Sequence, residues 1–185
     1  MTNTNKISII GVLDNGLEGL TPAADILISQ ADVVFGGVRT LTLFEKHFPP
    51  HAQQIDLIAH FGKMPQLIKD ALNDHLKVVV LATGDPLCHG VARYLINKLS
   101  AETCEVHPNV STIQLAFARF GLAWQGVSIC SVHTKDAGEW TLDAGPEHGL
   151  YPLVESVRNN ELIALFTSPE NTPDRIARML SQLGL

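Results

Sequence analysis

The segment Val78-Val-Val-Leu-Ala-Thr-Gly-Asp-Pro-Leu-Cys-His-Gly90 decides the fold that this sequence predicts. It opens with five apolar residues and then stops at Thr83-Gly84-Asp85-Pro86. An apolar run this short, β-branched at its start and ended by turn formers, predicts a buried strand rather than a helix. Such a strand leaves bare backbone and one carboxylate at the carboxyl edge of a sheet, where open α/β sheets bind small molecules.

Strands and helices alternate through the first 107 residues. The predicted strands are Ile7–Gly11, Asp32–Phe35, Gln54–Asp56, Val78–Ala82 and Cys104–His107. The predicted helices are one that starts at Thr21-Pro22, with Thr as its cap, and those at 40–47, 61–74 and 91–99. This alternation predicts an α/β fold, with a mostly parallel sheet covered by helices on both faces.

A second α/β domain is predicted after His107-Pro108-Asn109, so the expected domains are 1–107 and 108–185. The later part of the chain contains, in order, a helical segment at Thr112–Phe120, a strand at Val127–Val132, a Gly- and Asp-rich loop at Thr134–Tyr151, a strand at Glu161–Phe166 and a final helical segment at Pro173–Leu183.

Composition narrows the classes of partner. The chain has 185 residues, 45% of them hydrophobic, and a net charge of -6, which argues against a nucleic-acid binder. Cys88, Cys104 and Cys130 are widely spaced, as expected of reduced thiols in a cytoplasmic protein. The eight histidines show no metal-site spacing, and the sequence predicts neither a signal peptide nor a membrane span.

Several polar residues at predicted strand ends have two interpretations each. Asp85 is either a ligand-binding carboxylate or a helix cap, and Ser111 and Thr112 either cap the next helix or contact a ligand. The loop Gly11–Gly16 either brings backbone N–H groups to a ligand or forms an ordinary tight turn. Arg39 is either a solvated charge or a carboxylate clamp.

His133 ends a predicted strand, and Lys135 follows two residues later. A histidine at a strand end is as often a surface residue as a base or a ligand contact. The neighbouring ammonium makes a local cationic site the alternative to a plain surface position.

Together these segments resemble the tetrapyrrole methylases, the S-adenosylmethionine-dependent enzymes of cobalamin and sirohaem biosynthesis. The resemblance is carried by Gly16-Leu-Glu-Gly-Leu-Thr21, Ala31-Asp-Val-Val-Phe-Gly-Gly-Val-Arg39, Thr83-Gly-Asp-Pro-Leu-Cys-His-Gly90 and His107-Pro-Asn-Val-Ser-Thr112. Within the family, Cys130-Ser-Val-His133 and Leu165-Phe-Thr-Ser-Pro-Glu-Asn-Thr-Pro173 most resemble the branch that methylates C5 of a corrin-ring precursor.

The resemblance implies two α/β domains of the tetrapyrrole methylase type, S-adenosyl-L-methionine as cofactor, and a homodimer. By position it implies cofactor contacts at Asp14, Thr83, Gly84, Asp85, Cys88, Ser111, Thr112, Phe166 and Thr167. The expected substrate contacts are Arg39, His133 and Lys135, and no residue is assigned as a catalytic base.

The activity that the resemblance implies is methylation of precorrin-6 or cobalt-precorrin-7 at C5, with a decarboxylating C15 methyltransferase of the CbiT type as partner. A methyltransferase of the same fold with another substrate, and a non-catalytic cofactor-binding assembly partner, remain open. The first loop departs from the family's usual Gly-x-Gly-Pro-Gly, because Leu13 stands within it. Family members continue beyond the position of Leu185, so the second domain is expected to be incomplete.

Overall fold

The computed structural model describes residues 6–185, and its contacts divide the chain into two compact units. The first unit ends at Ala116, and the second runs from Phe117 to Leu185. The domain boundary between residues 107 and 108 stays a prediction. Residues 1–5, on which the prediction of no signal peptide partly rests, lie outside the described residues.

The first unit is built on a parallel sheet of five strands in the order β3-β2-β4-β1-β5. Its strands are β1 (Ile7–Val12), β2 (Val33–Gly36), β3 (Gln53–Asp56), β4 (Val78–Thr83) and β5 (Cys104–His107). The connecting helices are α1 (Pro22–Ser29), α2 (Val38–Phe44), α3 (Met64–Asn73) and α4 (Val91–Leu99), with 3-10 turns at Gly16–Gly19 and Glu45–His47. The predicted α/β fold with a parallel sheet is confirmed.

Alternate residues of the central strands face two separate cores, because side chains alternate across a strand. One core joins Ile9, Phe35 and Val80 to buried residues of α3 and α4. The other joins Ile10, Val34, Leu81 and their neighbours to buried residues of α1 and α2. Both faces of the sheet are therefore covered, which explains why β4 is an almost continuous apolar run.

Helix α1 begins as the sequence predicts. The Thr21 side-chain oxygen accepts a hydrogen bond from the Ala24 N–H (3.2 Å), and Pro22 occupies the first turn. The hydroxyl satisfies one of the N–H groups that a helix leaves free at its start, while proline loses nothing there because it has no N–H. This cap fixes where the chain turns after the loop that follows β1.

The second unit pairs two parallel strands, β6 (Ser128–Ser131) and β7 (Ile163–Phe166). Helix α5 (Thr112–Phe120) runs into this unit, and α6 (Tyr151–Asn159) and α7 (Pro173–Gln182) follow. Its core contains Val132, Trp140, Leu150, Leu153, Val154, Ile176 and Met179. None of the helices within residues 6–185 combines the length and apolar character that crossing a membrane requires.

Helix α6 is a correction to the sequence-based description, which ended a loop at Tyr151 and predicted nothing before Glu161. The helix begins at Tyr151, with Pro152 in its first turn. Leu150, Leu153, Val154 and Val157 follow the spacing of one helical face, and the first three are buried. This helical spacing was present in the sequence, but the Gly- and Asp-rich composition of the segment before it indicated a loop.

Candidate functional site

The loops after β1, β4 and β5 pack against one another at the carboxyl edge of the first unit's sheet. A Cβ added at Gly11 would lie 2.1 Å from the Gly84 carbonyl oxygen and 2.7 Å from the Asn109 backbone nitrogen. The Gly84 N–H also donates a hydrogen bond to the Val12 carbonyl (2.8 Å). Glycine is required at position 11 because backbone lies where a side chain would begin.

Gly84 links the Gly-Asp-Pro loop to the start of α5. Its φ of 70° lies in the left-handed region, which glycine adopts without strain. A Cβ at this position would lie 3.3 Å from the Thr112 backbone nitrogen and 3.3 Å from the Val110 carbonyl oxygen. The structure therefore brings together the predicted cofactor residues after β4 and those after β5, namely Thr83, Gly84, Asp85, Ser111 and Thr112.

The side chain of Asn109 connects two points of the first loop. Its Nδ2 donates to the Gly11 carbonyl (3.1 Å) and to the Gly19 carbonyl (2.8 Å), while its Oδ1 accepts from the Val110 N–H (2.8 Å). Sequence reasoning missed this residue, although it quoted the segment that contains it. The pair Pro108-Asn109 predicts a turn, but it does not predict contacts with a loop so far away in the chain.

Asp85 caps a turn rather than helix α4. Its Oδ1 accepts a hydrogen bond from the Leu87 N–H (2.9 Å), and the helix begins only at Val91. The helix-cap alternative for Asp85 is therefore wrong in its location, since the carboxylate stabilises the tight turn that follows the strand. Burial, and secondarily the negative charge of Asp85, raise the pKa of the Cys88 thiol, which disfavours a reactive thiolate there.

Ser111 caps helix α5. Its Oγ accepts a hydrogen bond from the Gln114 N–H (3.2 Å), and the Gln114 Oε1 accepts one from the Ser111 N–H (2.9 Å). This reciprocal pair is a capping box, which satisfies two N–H groups at the start of the helix. The cap interpretation of Ser111 is confirmed. Thr112 follows it with an exposed side chain.

An ion pair connects the loop after β1 to the first turn of helix α2, which follows β2. The Arg39 Nη1 lies 2.6 Å from the Asp14 Oδ1, and the two side chains are 66% and 72% exposed. Strand β4 lies between β1 and β2, so the pair joins segments that flank the Gly-Asp-Pro loop in the order of the sheet. Arg39 thus clamps a carboxylate, as one interpretation proposed, and the carboxylate belongs to the chain itself.

In the second unit, His133 connects the ends of β6 and β7. Its Nδ1 lies 2.8 Å from the Thr167 carbonyl oxygen, which follows Phe166 at the end of β7. Because a carbonyl only accepts, Nδ1 carries the proton in this hydrogen bond. The predicted residues His133, Phe166 and Thr167 lie together, while the Lys135 side chain is exposed nearby in the chain.

Asn171 organises the loops of the second unit and is fully buried, with 0% exposure. Its Nδ2 donates to the carbonyls of Val132 (3.0 Å), Thr134 (3.4 Å) and Lys135 (3.1 Å). Its Oδ1 accepts from the Ala137 N–H (3.1 Å). Sequence reasoning missed this role too, because Asn171 lies between serine, glutamate and proline, where its local context indicates only a turn.

Within residues 6–185, no three or more His, Cys, Asp or Glu side chains are grouped so that they could hold a metal ion. The groups at the carboxyl edge of the first unit are backbone atoms, the Ser111 hydroxyl, the Asp85 carboxylate, the Asn109 amide and one exposed ion pair. This edge suits a small molecule of mixed polarity.

Comparison with known proteins matches residues 6–185 to the tetrapyrrole (corrin/porphyrin) methylases. A decarboxylating precorrin-6Y C(5,15)-methyltransferase of Sinorhizobium is 32% identical over 138 residues, which are 70% of this chain and 30% of that protein. A cobalt-precorrin-7 C(5)-methyltransferase of Salmonella typhimurium is 27% identical over 178 residues, 96% of this chain and 79% of that protein. The chain thus spans less than a third of the first relative's length.

A solved structure shares the fold. The cobalt precorrin-4 methyltransferase CbiF aligns with a TM-score of 0.70 over 98% of this chain and 76% of its own. The two sequences are 21% identical, so the likeness concerns the fold alone. It covers nearly the whole chain, including the second unit with its two-stranded sheet.

Proposed function

This chain belongs to the tetrapyrrole methylase family, and from that premise we propose that it transfers a methyl group from S-adenosylmethionine to C5 of a corrin-ring precursor. The two curated relatives described above carry C5 methylation in their names, which supports this ring position over others. The observation that carries the proposal is the edge at which Gly11, Gly84 and Asn109 meet.

The edge supports the proposal because glycine at positions 11 and 84 lets the three loops pack closely, which brings Thr83, Asp85 and Ser111 to one place. The residues that would hold S-adenosylmethionine in the first unit are Asp14, Thr83, Gly84, Asp85, Cys88, Ser111 and Thr112. Phe166 and Thr167 are proposed contacts from the second unit. When bound, S-adenosylmethionine supplies the methyl group from its positively charged sulfonium.

The chain's own contribution is to bind and orient the two reactants and to exclude water, which is catalysis by proximity. Arg39, Lys135 and His133 would bind the carboxylates on the rim of a corrin precursor. Because the Arg39 Nη1 already lies 2.6 Å from the Asp14 Oδ1, a substrate carboxylate would bind the other N–H groups of the guanidinium or displace Asp14. Removing the Arg39 charge should therefore raise KM more than it lowers kcat.

Two partners belong to the proposal. One is a second copy of this chain, in a homodimer. The other is a decarboxylating C15 methyltransferase of the CbiT type, since a relative named for both the C5 and the C15 reactions matches this chain over only 30% of its length. Co-purification with such a partner, and sedimentation of the chain alone, would test these two assemblies separately.

The experiment that tests the function has two stages. Calorimetry with S-adenosylmethionine and S-adenosylhomocysteine asks whether the chain binds the cofactor. Incubation with precorrin-6 and cobalt-precorrin-7, followed by NMR of the product, asks whether a methyl group arrives at C5. Methylation of another ring position would contradict the C5 assignment, and cofactor binding without turnover would favour an assembly role.

A further inference from the structure

We propose that Asn109 is a positioning residue that holds the first loop, residues 11–19, in the conformation that binds S-adenosylmethionine. The inference rests on the proposed function, because it concerns the same edge of the sheet. Asn109 is not a catalytic residue, since its side chain contacts only the backbone of this loop and of its own neighbour. It would act on the cofactor through the loop.

The orientation of the amide follows from its partners. A carbonyl oxygen can only accept and a backbone N–H can only donate, so Nδ2 must face the Gly11 and Gly19 carbonyls and Oδ1 must face the Val110 N–H. A flipped amide would lose all three hydrogen bonds. The two N–H bonds of one amide group thus hold both ends of the loop.

The loop between those ends has little regular structure to hold it. It contains one 3-10 turn, Gly16–Gly19, and a hydrogen bond from the Gly16 N–H to the Leu13 carbonyl (3.2 Å). The Asn15 side chain lies over Gly19, where an added Cβ would be 2.2 Å from its Oδ1. The Asp14–Arg39 ion pair also holds the tip, but it is exposed and contributes little, so the position of the loop depends mainly on how its ends are tied.

Asn109 also lies at the point where all three loops of the edge meet. Its backbone nitrogen is 2.7 Å from where a Gly11 Cβ would be, and the Gly84 carbonyl is closer still. Movement of Gly11 away from Asn109 would therefore open the contact with Gly84. Losing the side-chain hydrogen bonds should disturb the edge as a whole rather than one loop tip.

The first test replaces Asn109 by alanine and uses Asn159→Ala as the matched control. Asn159 is exposed and donates only to the Glu155 carbonyl of its own helix. We expect the Kd for S-adenosylhomocysteine to rise at least about tenfold in Asn109→Ala and to stay at the wild-type value in the control. A merely structural role would lower Tm but leave the Kd of the folded protein unchanged, and that result would overturn the proposal.

The second test is Asn109→Asp, which keeps the size of the side chain. At neutral pH the new carboxylate faces two carbonyl oxygens without a proton to donate, so binding should be weaker than in Asn109→Ala. Carbonyl acceptors favour the protonated form of the new carboxyl group. Part of the affinity lost relative to wild type should therefore return as the pH is lowered from about 8 to about 5. If the ratio of the Asn109→Asp Kd to the wild-type Kd is constant across this pH range, the role of the Asn109 Nδ2 as a donor is contradicted.

A third measurement needs no cofactor. Backbone hydrogen exchange of Gly16 and Gly84, whose N–H groups are hydrogen-bonded in the wild type, should accelerate in Asn109→Ala and not in Asn159→Ala.

If wild type binds no S-adenosylmethionine or S-adenosylhomocysteine, the proposed function fails and this inference fails with it. If wild type binds and the Asn109 variants bind equally well, only the inference fails.

Discussion

In each unit of this protein, one asparagine side chain hydrogen-bonds to the loops at the strand ends, but the surroundings of the two asparagines differ. We call these the Asn109 node, made with Gly11 and Gly19, and the Asn171 node, made with Val132, Thr134, Lys135 and Ala137. The Asn171 side chain is fully buried, whereas the Asn109 side chain is only partly buried.

The two nodes differ in what lies between the loops that each asparagine joins. At the Asn171 node the amide makes hydrogen bonds with four backbone groups, so the space between the loops is filled by the protein itself. At the Asn109 node the amide holds the base of a loop whose tip, with Asp14 and Asn15, is exposed. The Asn171 amide is therefore enclosed by the loops that it joins, whereas the loop tip held by Asn109 stays exposed.

The largest loss of stability is expected for Asn171→Ala, which tests the Asn171 side of this comparison. Three carbonyls and one N–H would lose their hydrogen bond to this amide. The Thr134 carbonyl keeps one from the Ser168 Oγ, and each group left without a partner costs about 1–3 kcal/mol, so a loss of about 4 kcal/mol is expected. Both tryptophans, Trp124 and Trp140, lie in the second unit, so tryptophan fluorescence during urea unfolding reports on that unit. Asn160→Ala, at an exposed helix end, is the control and should change stability by less than about 0.5 kcal/mol.

Gly11→Ala probes the Asn109 node. The new methyl group would overlap the Gly84 carbonyl, and the loops would have to separate, at a cost of about 2–3 kcal/mol. Gly62→Ala is the matched control, since no atom lies within 4 Å of its missing Cβ. Thermal unfolding measured by circular dichroism compares the two variants. Equal Tm values for both would mean that the three loops do not meet as closely as described.

Ser111→Ala sharpens the comparison, because it separates the cap beside the Asn109 node from ligand binding. Loss of the hydroxyl removes one half of the capping box with Gln114 and should cost about 1 kcal/mol. The exposed Ser181→Ala serves as control on another helix and should be nearly neutral. If the variant loses cofactor affinity without losing stability, Ser111 acts on the ligand rather than as a cap.

The smallest expected effect concerns the carboxylates around the Asn171 node. Arg175 contacts both Asn171 and Asp136, and the pKa of Asp136 is lowered first by the Gly138 N–H and then by Arg175. The Thr172 hydroxyl, and after it Arg178, lower the pKa of Asp174 to about 2. Groups with a lowered folded-state pKa stabilise the fold above the unfolded pKa, and that stability is lost as pH falls through the folded value.

Stability of the second unit should therefore decline between about pH 4 and about pH 2, and only modestly, because these ion pairs are exposed. Tryptophan fluorescence melts across this range measure the slope for wild type and for Asp174→Asn, in which one of the titrating carboxylates is absent. The variant should show the shallower slope. An identical slope in both proteins would remove Asp174 from the acid response.

Much of the fold could be predicted because its signals are local. The bounds of α4, β5 and α5 were predicted to the residue, and Thr21-Pro22 correctly marked the start of α1. Apolar runs and capping residues act within a few positions of the chain, so a single sequence contains them. Helix α6 had the same kind of local signal in Leu150, Leu153 and Val154, but no helix was predicted there.

The candidate site was less predictable because its contacts are distant in sequence. Asn109 reaches Gly11 across 98 positions, and Asn171 reaches Val132 across 39. An asparagine after a strand indicates a turn, but nothing in its neighbourhood tells which carbonyls it will meet. The resemblance to the family directed attention to these segments, yet it did not predict that Asp14 pairs with Arg39 or that Ser111 is held by Gln114.

Strand β1 has a consequence for how the protein comes to be folded. Its neighbours are β4 and β5, with Ser8 beside Val79 and Ile7 beside Cys104. During synthesis this strand emerges before β4 and β5, so its apolar residues stay unpaired until most of the first unit has left the ribosome. Long-range parallel pairing of this kind slows folding and exposes an unpaired strand meanwhile. Strand β1 lies inside the sheet, between β4 and β5, and it is made before both of the strands with which it pairs.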